Sequence, residues 1–149
     1  MAKQESLRAD PCPMARTLYI LGDRWSLLII RDAFDGKRRF GDFQRSLGMA
    51  KNILAERLKL LVEEEILQMV PASDGSTYQE YALTRKGEEL FPIIVAFRQW
   101  GESHMYRKGE RHSVLVERAT GKPVKRLELR AHDGSPLNHG DAFVKKLKA

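Results

Sequence analysis

The clearest pattern in the chain is an apolar stripe at helical spacing. It consists of Leu54, Leu58 and Leu61, at positions i, i+4 and i+7. This spacing predicts a helix from Lys51 to about Glu65 with one buried face. The opposite stripe is small or polar and comprises Asn52, Ala55, Glu56, Lys59 and Glu63. This layout is typical of a helix that packs on a core and presents its other face to a partner.

Three more helices are predicted upstream. A short helix over residues 40–47 precedes the helix that begins at Lys51, with a tight turn at Gly48 between the two. Pro13 suits the first turn of the N-terminal helix, in which Met14, Leu18 and Leu21 fall on one face. The helix between these, over residues 24–34, is almost wholly apolar, and Asp23 is placed to cap it. We therefore expect this second helix at the centre of the core.

A β-hairpin and a long helix follow. The strands are predicted over residues 67–70 and 78–83, and Asp74-Gly75 between them is a strong turn signal. Thr84 is placed to cap a fifth helix that runs to about residue 106. The apolar stripe of this helix is broader than a small domain needs and comprises Leu90, Ile93, Ile94, Phe97 and Trp100. We expect a dimer interface here, with packing on the strands or on the first helix as the alternative.

From His112 onwards the pattern changes to short runs typical of β-strands. These runs cover residues 114–118, 124–130 and 143–147. The chain is therefore predicted to consist of a flexible N-terminus over residues 1–11, a mainly helical domain with a β-hairpin over 12–107, and a small β-rich appendage over 108–149.

Composition limits the class of protein. The 149 residues are 42% hydrophobic and 31% charged, which is ordinary for a globular domain. The single cysteine, Cys12, excludes an intrachain disulfide framework and favours a reducing compartment. No segment is apolar enough to span a bilayer, and the first ten residues lack the apolar run of a secretory signal. These features predict a soluble, cytoplasmic protein.

The net charge of +6 is distributed unevenly. Residues 1–106 carry 15 bases and 15 acids, whereas residues 107–149 carry 11 bases and five acids. Within the balanced part, residues 37–59 hold seven bases and only two acids. This basic cluster comprises Lys37, Arg38, Arg39, Arg45, Lys51, Arg57 and Lys59. A basic surface attracts polyanions, so the cluster favours a nucleic acid partner, with a solvated basic face as the alternative.

The order of the elements is that of a winged helix-turn-helix, in which the fourth helix enters the major groove of DNA. Five motifs add to this order: Cys12-Pro13, Gly22-Asp23-Arg24-Trp25, Gly36 with Arg39-Phe40, Leu54-x-x-Arg57-Leu58, and Tyr81-x-Leu83-Thr84 with Gly87. At this spacing, residues 12–100 resemble the HxlR family of bacterial transcriptional regulators. The resemblance implies a homodimer, a double-stranded DNA operator with two related half-sites, and regulation of transcription by repression or activation.

With DNA as the partner, we expect contacts from Arg38, Arg39, Ala50, Lys51, Asn52, Ala55, Arg57, Lys59, Ser76 and Thr77. Lys51 and Asn52 lie at the leading end of the fourth helix, within reach of base edges, although Asn52 is equally suited to capping that helix. Arg57 and Lys59 are expected to bind phosphate. The wing loop between residues 71 and 78 lacks Lys and Arg, so weak wing contacts are expected.

The dimer interface is predicted to involve Met14, Leu18, Ile94, Phe97 and Trp100. Some HxlR-like regulators sense oxidants or electrophiles through a cysteine just before the first helix, which is where Cys12 stands. A helix N-terminus favours a reactive thiolate. The alternatives are that Cys12 is a small, partly buried apolar residue, and that the regulator responds to a small ligand instead.

Other classes of function find little support in the sequence. The four histidines lack a nucleophile partner at motif spacing, and no Gly-rich phosphate loop is present, so we predict no enzyme activity and no cofactor. The appendage has no thiols, and His132 with Asp133 are too few for a structural zinc site, so no metal is predicted. The rival function is a winged-helix module for protein–protein interaction without specific DNA binding.

Overall fold

The computed structural model describes residues 6–148 and divides the chain into two units, with the boundary between Pro92 and Ile93. The helices are α1 (Pro13–Leu21), α2 (Ser26–Phe34), α3 (Phe40–Leu47), α4 (Lys51–Glu63), α5 (Arg85–Glu88) and α6 (Phe91–His104). Two strands, β1 (Leu67–Pro71) and β2 (Gln79–Leu83), form an antiparallel hairpin, and a 3₁₀ turn covers His139–Asp141. Residues 1–5 of the predicted flexible N-terminus lie outside the described residues. The predicted domain boundary after residue 107 stays a prediction.

The core of the first unit is built mainly from the apolar residues of α2, α3 and α4, whereas Leu21 is the buried member of the α1 stripe. Ile30 of α2 and Phe43 of α3 are fully buried, which confirms α2 as a central element. Leu54, Leu58 and Leu61 of α4 are also inaccessible to solvent. Burial of each such side chain contributes about 1.5–3 kcal/mol, so this stripe holds α4 to the core and leaves its opposite face free.

Gly48 fixes the turn between α3 and α4. Its φ of 62° lies in the left-handed region, and its amide donates to the Gln44 carbonyl at 2.8 Å, which ends α3. Ala50 is the N-cap of α4, with extended backbone, so Asn52 lies within the first helical turn. The alternative prediction that Asn52 caps the helix is therefore wrong.

Asp23 caps the start of α2, as predicted. Its carboxylate accepts hydrogen bonds from the amides of Trp25 at 2.9 Å and Ser26 at 3.0 Å. The helix itself begins at Ser26 rather than Arg24, because residues 23–25 form the turn that brings the carboxylate over those amides.

The hairpin confirms the predicted strands to within a residue at their ends. Leu67 pairs with Leu83, and Pro71 pairs with Gln79. The amide of Tyr81 donates to the Arg38 carbonyl at 2.7 Å. The hairpin is therefore joined to the segment that leads into α3.

The prediction of one helix from Thr84 to about residue 106 is wrong. Thr84 does act as a cap, since its hydroxyl oxygen accepts from the Gly87 amide at 3.0 Å. The helix nevertheless breaks at residues 89–90. Pro92 has no amide proton, and its ring excludes the carbonyl four residues earlier. Proline is compatible with the first turn of a helix, and Pro92 is the second residue of α6.

The predicted strands of the appendage are also wrong. The described residues there contain two isolated bridges, Val116 with Pro123 and Arg130 with Pro136. Each bridge includes a proline, which lacks the amide proton that would extend a ladder. Residues 143–147 form no strand.

In the second unit, Gln99 of α6 fixes the following segment to the helix. Its side-chain nitrogen donates to the Lys125 carbonyl at 3.0 Å, and its side-chain oxygen accepts from the Leu127 amide at 2.8 Å. Arg98 adds a bond from Nη1 to the Ser113 carbonyl at 3.0 Å. Among residues 6–148, no helix is both long and apolar enough to cross a membrane.

Candidate nucleic-acid interface

The surface of α4 opposite the leucine stripe is exposed along its whole length. We call this surface the α4 face; it comprises Ala50, Lys51, Asn52, Ala55, Glu56 and Lys59, all of them exposed. The helix begins at Lys51, so the first two side chains of the face stand at its leading end. Small residues at positions 50 and 55 let another surface approach the backbone closely.

Ion pairs occupy five of the seven bases in the basic cluster. The pairs are Arg38–Glu80, Arg39–Asp74, Arg45–Asp42, Arg57–Asp23 and Lys59–Glu63. Within the described part of the chain, Lys37 and Lys51 form no ion pair. Lys51 is also exposed. It is therefore the base of the α4 face whose charge is fully available to a polyanion.

Arg57 extends from α4 towards the start of α2. Its Nη1 lies 3.6 Å from Asp23 Oδ1, and its side chain is only 26% exposed. Its Nε is buried and has no hydrogen-bond partner among the described residues. Arg57 therefore links α4 to the cap of α2 and stands apart from the α4 face.

A cluster of two arginines and two carboxylates joins the wing to the segment before α3. Arg38 Nε donates to Glu80 Oε2 at 2.5 Å, and Arg39 Nη2 donates to Asp74 Oδ2 at 2.5 Å. Glu80 is 3% exposed and also accepts hydrogen bonds from the amide and hydroxyl of Ser73, both at 3.2 Å. We call Arg38, Arg39, Asp74 and Glu80 the wing cluster.

The carboxylates of the wing cluster are ionised at neutral pH. The hydrogen bond from Arg38 lowers the pKa of Glu80 below its ordinary value. The Ser76 amide, at 2.9 Å, together with Arg39 lowers the pKa of Asp74 to about 2. Two positive and two negative charges therefore cancel within the cluster.

Sequence reasoning missed this neutralisation. The partners are separated by 42 residues for Arg38 with Glu80 and by 35 for Arg39 with Asp74. The sequence did contain a signal for these pairs: Asp74 lies in the wing loop and Glu80 follows it, while the loop itself has no Lys or Arg.

The other predicted wing residues differ in exposure. Thr77 is exposed, whereas the Ser76 hydroxyl oxygen is buried and meets no hydrogen-bond partner among residues 6–148. The Arg39 guanidinium lies over the ring of Tyr78, 5.8 Å from its centroid. Tyr78 is 69% exposed, so the wing presents an aromatic ring beside a paired arginine.

The residues predicted for a dimer interface are mostly exposed. On α1, Met14 is 70% and Leu18 is 41% exposed. On α6, Phe97 is 64% and Trp100 is 60% exposed, whereas Ile94 is half-buried. Each helix therefore presents large apolar side chains to solvent.

Cys12 is a free, exposed thiol that immediately precedes α1. Its amide donates to Asp10 Oδ1 at 2.8 Å, which fixes the backbone at that point. The partly buried alternative is therefore wrong for this residue. In the described part of the chain, no group of three or more His, Cys, Asp or Glu side chains is placed to hold a metal ion.

A four-helix core, a left-handed turn before an outward-facing helix, and a hairpin after it define the winged helix-turn-helix class. Residues 20–109 match the family model described as HxlR-like helix-turn-helix. The chain belongs to that family, as its motifs indicated.

Named relatives of this chain are transcriptional regulators. Rv3095 of Mycobacterium tuberculosis, called an uncharacterized HTH-type transcriptional regulator, is 44% identical over 94 residues, which are 63% of this chain and 60% of that protein. The chain therefore spans about 60% of the length of this curated relative.

Two solved structures extend the comparison. PA1607, described as a candidate transcription factor, is 55% identical with a TM-score of 0.90 and covers 95% of this chain and 99% of its own. HypR, described as a redox regulator in its reduced form, is 29% identical with a TM-score of 0.57, over 63% of this chain and 94% of its own.

Proposed function

We propose that this chain is a sequence-specific DNA-binding transcriptional regulator in which α4 enters the major groove. The observation that carries the proposal is the α4 face, which is wholly exposed while the opposite leucine stripe is wholly buried. A rigid helix with a free, basic leading end is the element that a major groove accepts.

Within that helix, the roles follow from chemistry and position. Lys51 is unpaired among the described residues and reaches a guanine edge or a phosphate. Asn52 pairs with an adenine edge, and Ala55 is small enough to contact a thymine methyl group. Lys59 lies further along, in a loose pair with Glu63 at 3.9 Å, and binds phosphate. Arg57 is left out of the interface because its side chain is only 26% exposed, with a buried Nε, and extends to Asp23.

The wing contacts the flanking backbone through the wing cluster. Arg38 and Arg39 supply the bases that the loop itself lacks, and the exposed hydroxyl of Thr77 donates to phosphate. Because Asp74 and Glu80 neutralise both arginines, the wing of the free protein attracts DNA weakly.

The regulator acts as a homodimer on an operator with two related half-sites. The exposed apolar residues of α1 and α6 support this part of the proposal. The interface draws on Met14, Leu18, Ile94, Phe97 and Trp100. A two-fold dimer presents two copies of α4 to successive major grooves, so the half-sites are inverted repeats.

The proposed effector is an oxidant or electrophile that acts on Cys12. Exposure of the thiol and similarity to HypR, a redox regulator, support this assignment. Diamide converts two thiols to a disulfide, here between Cys12 of two protomers or between Cys12 and a small thiol. We expect diamide to change operator affinity in the wild type and not in Cys12→Ser. Equal affinity before and after treatment of the wild type removes Cys12 as a sensor.

Selection of bound DNA from a random library, with and without reducing agent, tests the whole proposal. The expected result is an inverted repeat. Failure to enrich any motif, combined with unchanged partner binding when Lys51, Asn52 and Lys59 are neutralised, would identify a protein-interaction module instead.

A further inference from the structure

The second unit is ordered by hydrogen bonds and yet buries almost no apolar side chain. Between Ile93 and residue 148, Val95 is the one buried hydrophobic residue. Backbone bonds nevertheless close its turns: the Val124 amide donates to Leu115 at 3.0 Å and the Leu137 amide to Leu129 at 2.9 Å. Hydrogen bonds alone contribute little net stability, so an ordered segment without a core needs apolar burial from another source.

The same unit presents an unusual amount of apolar surface. Eleven of its large apolar side chains are more than 40% exposed. The most exposed are Leu129 at 75%, Phe143 at 90%, Val144 at 79% and Leu147 at 83%. They lie beyond residue 109, where the match to the family model ends.

The area is what a stable dimer requires. Eleven side chains at this exposure present on the order of 1,000 Å². The largest apolar patch on a typical monomer is about 300–600 Å², whereas each partner in a stable complex buries about 800 Å². The summed apolar area of these side chains is therefore of the size that one partner buries in a stable complex.

The surface also continues the proposed dimer helix. Arg98 and Gln99, which bind the backbone of the segment, lie on α6 between Phe97 and Trp100. Residues 112–148, which we call the C-terminal arm, are thus fixed to the helix that carries the predicted interface.

We propose that a second copy of this chain covers the C-terminal arm, so that the arm and α6 together form the dimer interface. This inference rests on the homodimer of the proposed function and adds to it a region outside the family model. The arm side chains exclude water at the interface, and their burial there supplies the missing core of the second unit.

The test is sedimentation equilibrium of the full-length chain carrying Leu129→Ser, Phe143→Ser and Leu147→Ser together. These side chains are at least 75% exposed within one chain and lie outside its helices, so the helical circular dichroism should not change. We expect the dimer dissociation constant to rise roughly a hundredfold or more, because three buried apolar anchors are lost. The matched control, Lys145→Ser with Lys146→Ser, alters the same segment without removing apolar surface and should leave the constant unchanged.

Three results would overturn the proposal. The first is an unchanged dissociation constant in the triple variant. The second is a lower melting temperature with an unchanged constant, which would mean that the arm packs on its own chain. The third is an unchanged constant in the triple variant together with loss of operator affinity in the lysine control, which would mean that DNA covers the arm. None of these results removes the proposed function, which fails separately if wild-type protein selects no DNA motif.

Discussion

Arg39 shows how neighbours determine the role of a single base. By sequence it belongs to a basic cluster, but in the folded protein its guanidinium is bound to Asp74 at 2.5 Å and lies over Tyr78. A phosphate oxygen would occupy the position that the Asp74 carboxylate now holds. In the proposed complex, Asp74 would therefore compete with DNA for this arginine.

Replacing Asp74 by Asn should strengthen DNA binding. Arg39 loses its closer anionic partner and keeps the Glu80 carboxylate at 3.6 Å, so its guanidinium becomes more available to phosphate, while the Asn oxygen still accepts from the Ser76 amide. One added phosphate contact steepens the dependence of log K on log salt by about 0.9. We expect that change, with a several-fold gain in affinity at low salt, in fluorescence anisotropy with the selected operator.

Glu88→Gln is the control for Asp74→Asn. Glu88 is an exposed acid of α5 in the same unit and forms no ion pair with the described residues. The Glu88→Gln substitution removes one negative charge, as Asp74→Asn does, but it releases no arginine. Equal gains for the two variants would mean that net charge, and not Arg39, explains the effect.

Glu80 should make stability depend on pH. The hydrogen bond from Arg38 lowers its folded-state pKa, whereas the ordinary value is 4.5. A depressed pKa stabilises the fold fully above that ordinary value, and the contribution is lost as pH falls through the folded value. The melting temperature of the wild type should therefore fall more steeply below about pH 4.5 than that of Glu80→Gln. Parallel profiles for the two proteins would contradict this.

At the scale of elements, the turn before α4 depends on one glycine. A Cβ at Gly48 would meet no atom within 4 Å, so the position needs glycine for its φ of +62° and not for space. Gly48→Ala should lower the free energy of unfolding by about 1–2 kcal/mol in urea denaturation.

Gly41→Ala in α3 provides the comparison for Gly48→Ala. Its new Cβ would meet only the flexible Arg45 guanidinium, at 3.3 Å. Gly41 is the second residue of α3, so alanine there should stabilise the helix by less than the ~0.5–1 kcal/mol typical of a mid-helix position. Similar losses at both positions would argue against the left-handed turn.

The sequence predicted those elements whose pattern repeats at their own period. The buried face of α4 could be predicted because its leucines recur at helical spacing. The capping of α2 could be predicted because Asp23 stands just before the apolar run of that helix. The break before α6 was missed because the apolar stripe continues across it, although Pro92 was the signal. Apolar and polar residues alternate after His112 as they do in β-strands. A strand also needs a partner to pair with, and alternation along the chain does not supply one.

The candidate site was predictable only in part. The exposed face of α4 follows from helical periodicity, since residues opposite a buried stripe must be exposed. The pairing of Arg38 with Glu80 and Arg57 with Asp23 depends on segments distant in sequence, which no local pattern brings together. Those pairs decide which bases are free.

At the scale of the whole molecule, the two units differ in the surfaces that they expose. In the basic cluster of the first unit, five of the seven bases form ion pairs with described residues, and Lys37 and Lys51 remain unpaired there. The second unit carries most of the exposed large apolar side chains, together with the excess of bases over acids. We therefore propose that the first unit binds DNA and that the second supplies most of the dimer interface.

The salt dependence of operator binding by Lys51→Ala tests the central claim most directly. Lys51 is the exposed, unpaired base at the leading end of α4, and Arg85→Ala, at an exposed base of α5, is its control. We predict that Lys51→Ala weakens binding and reduces the slope of log K against log salt by about one unit, while Arg85→Ala leaves the slope as in the wild type. An unchanged slope in Lys51→Ala would contradict the assignment of α4 as the DNA-binding helix.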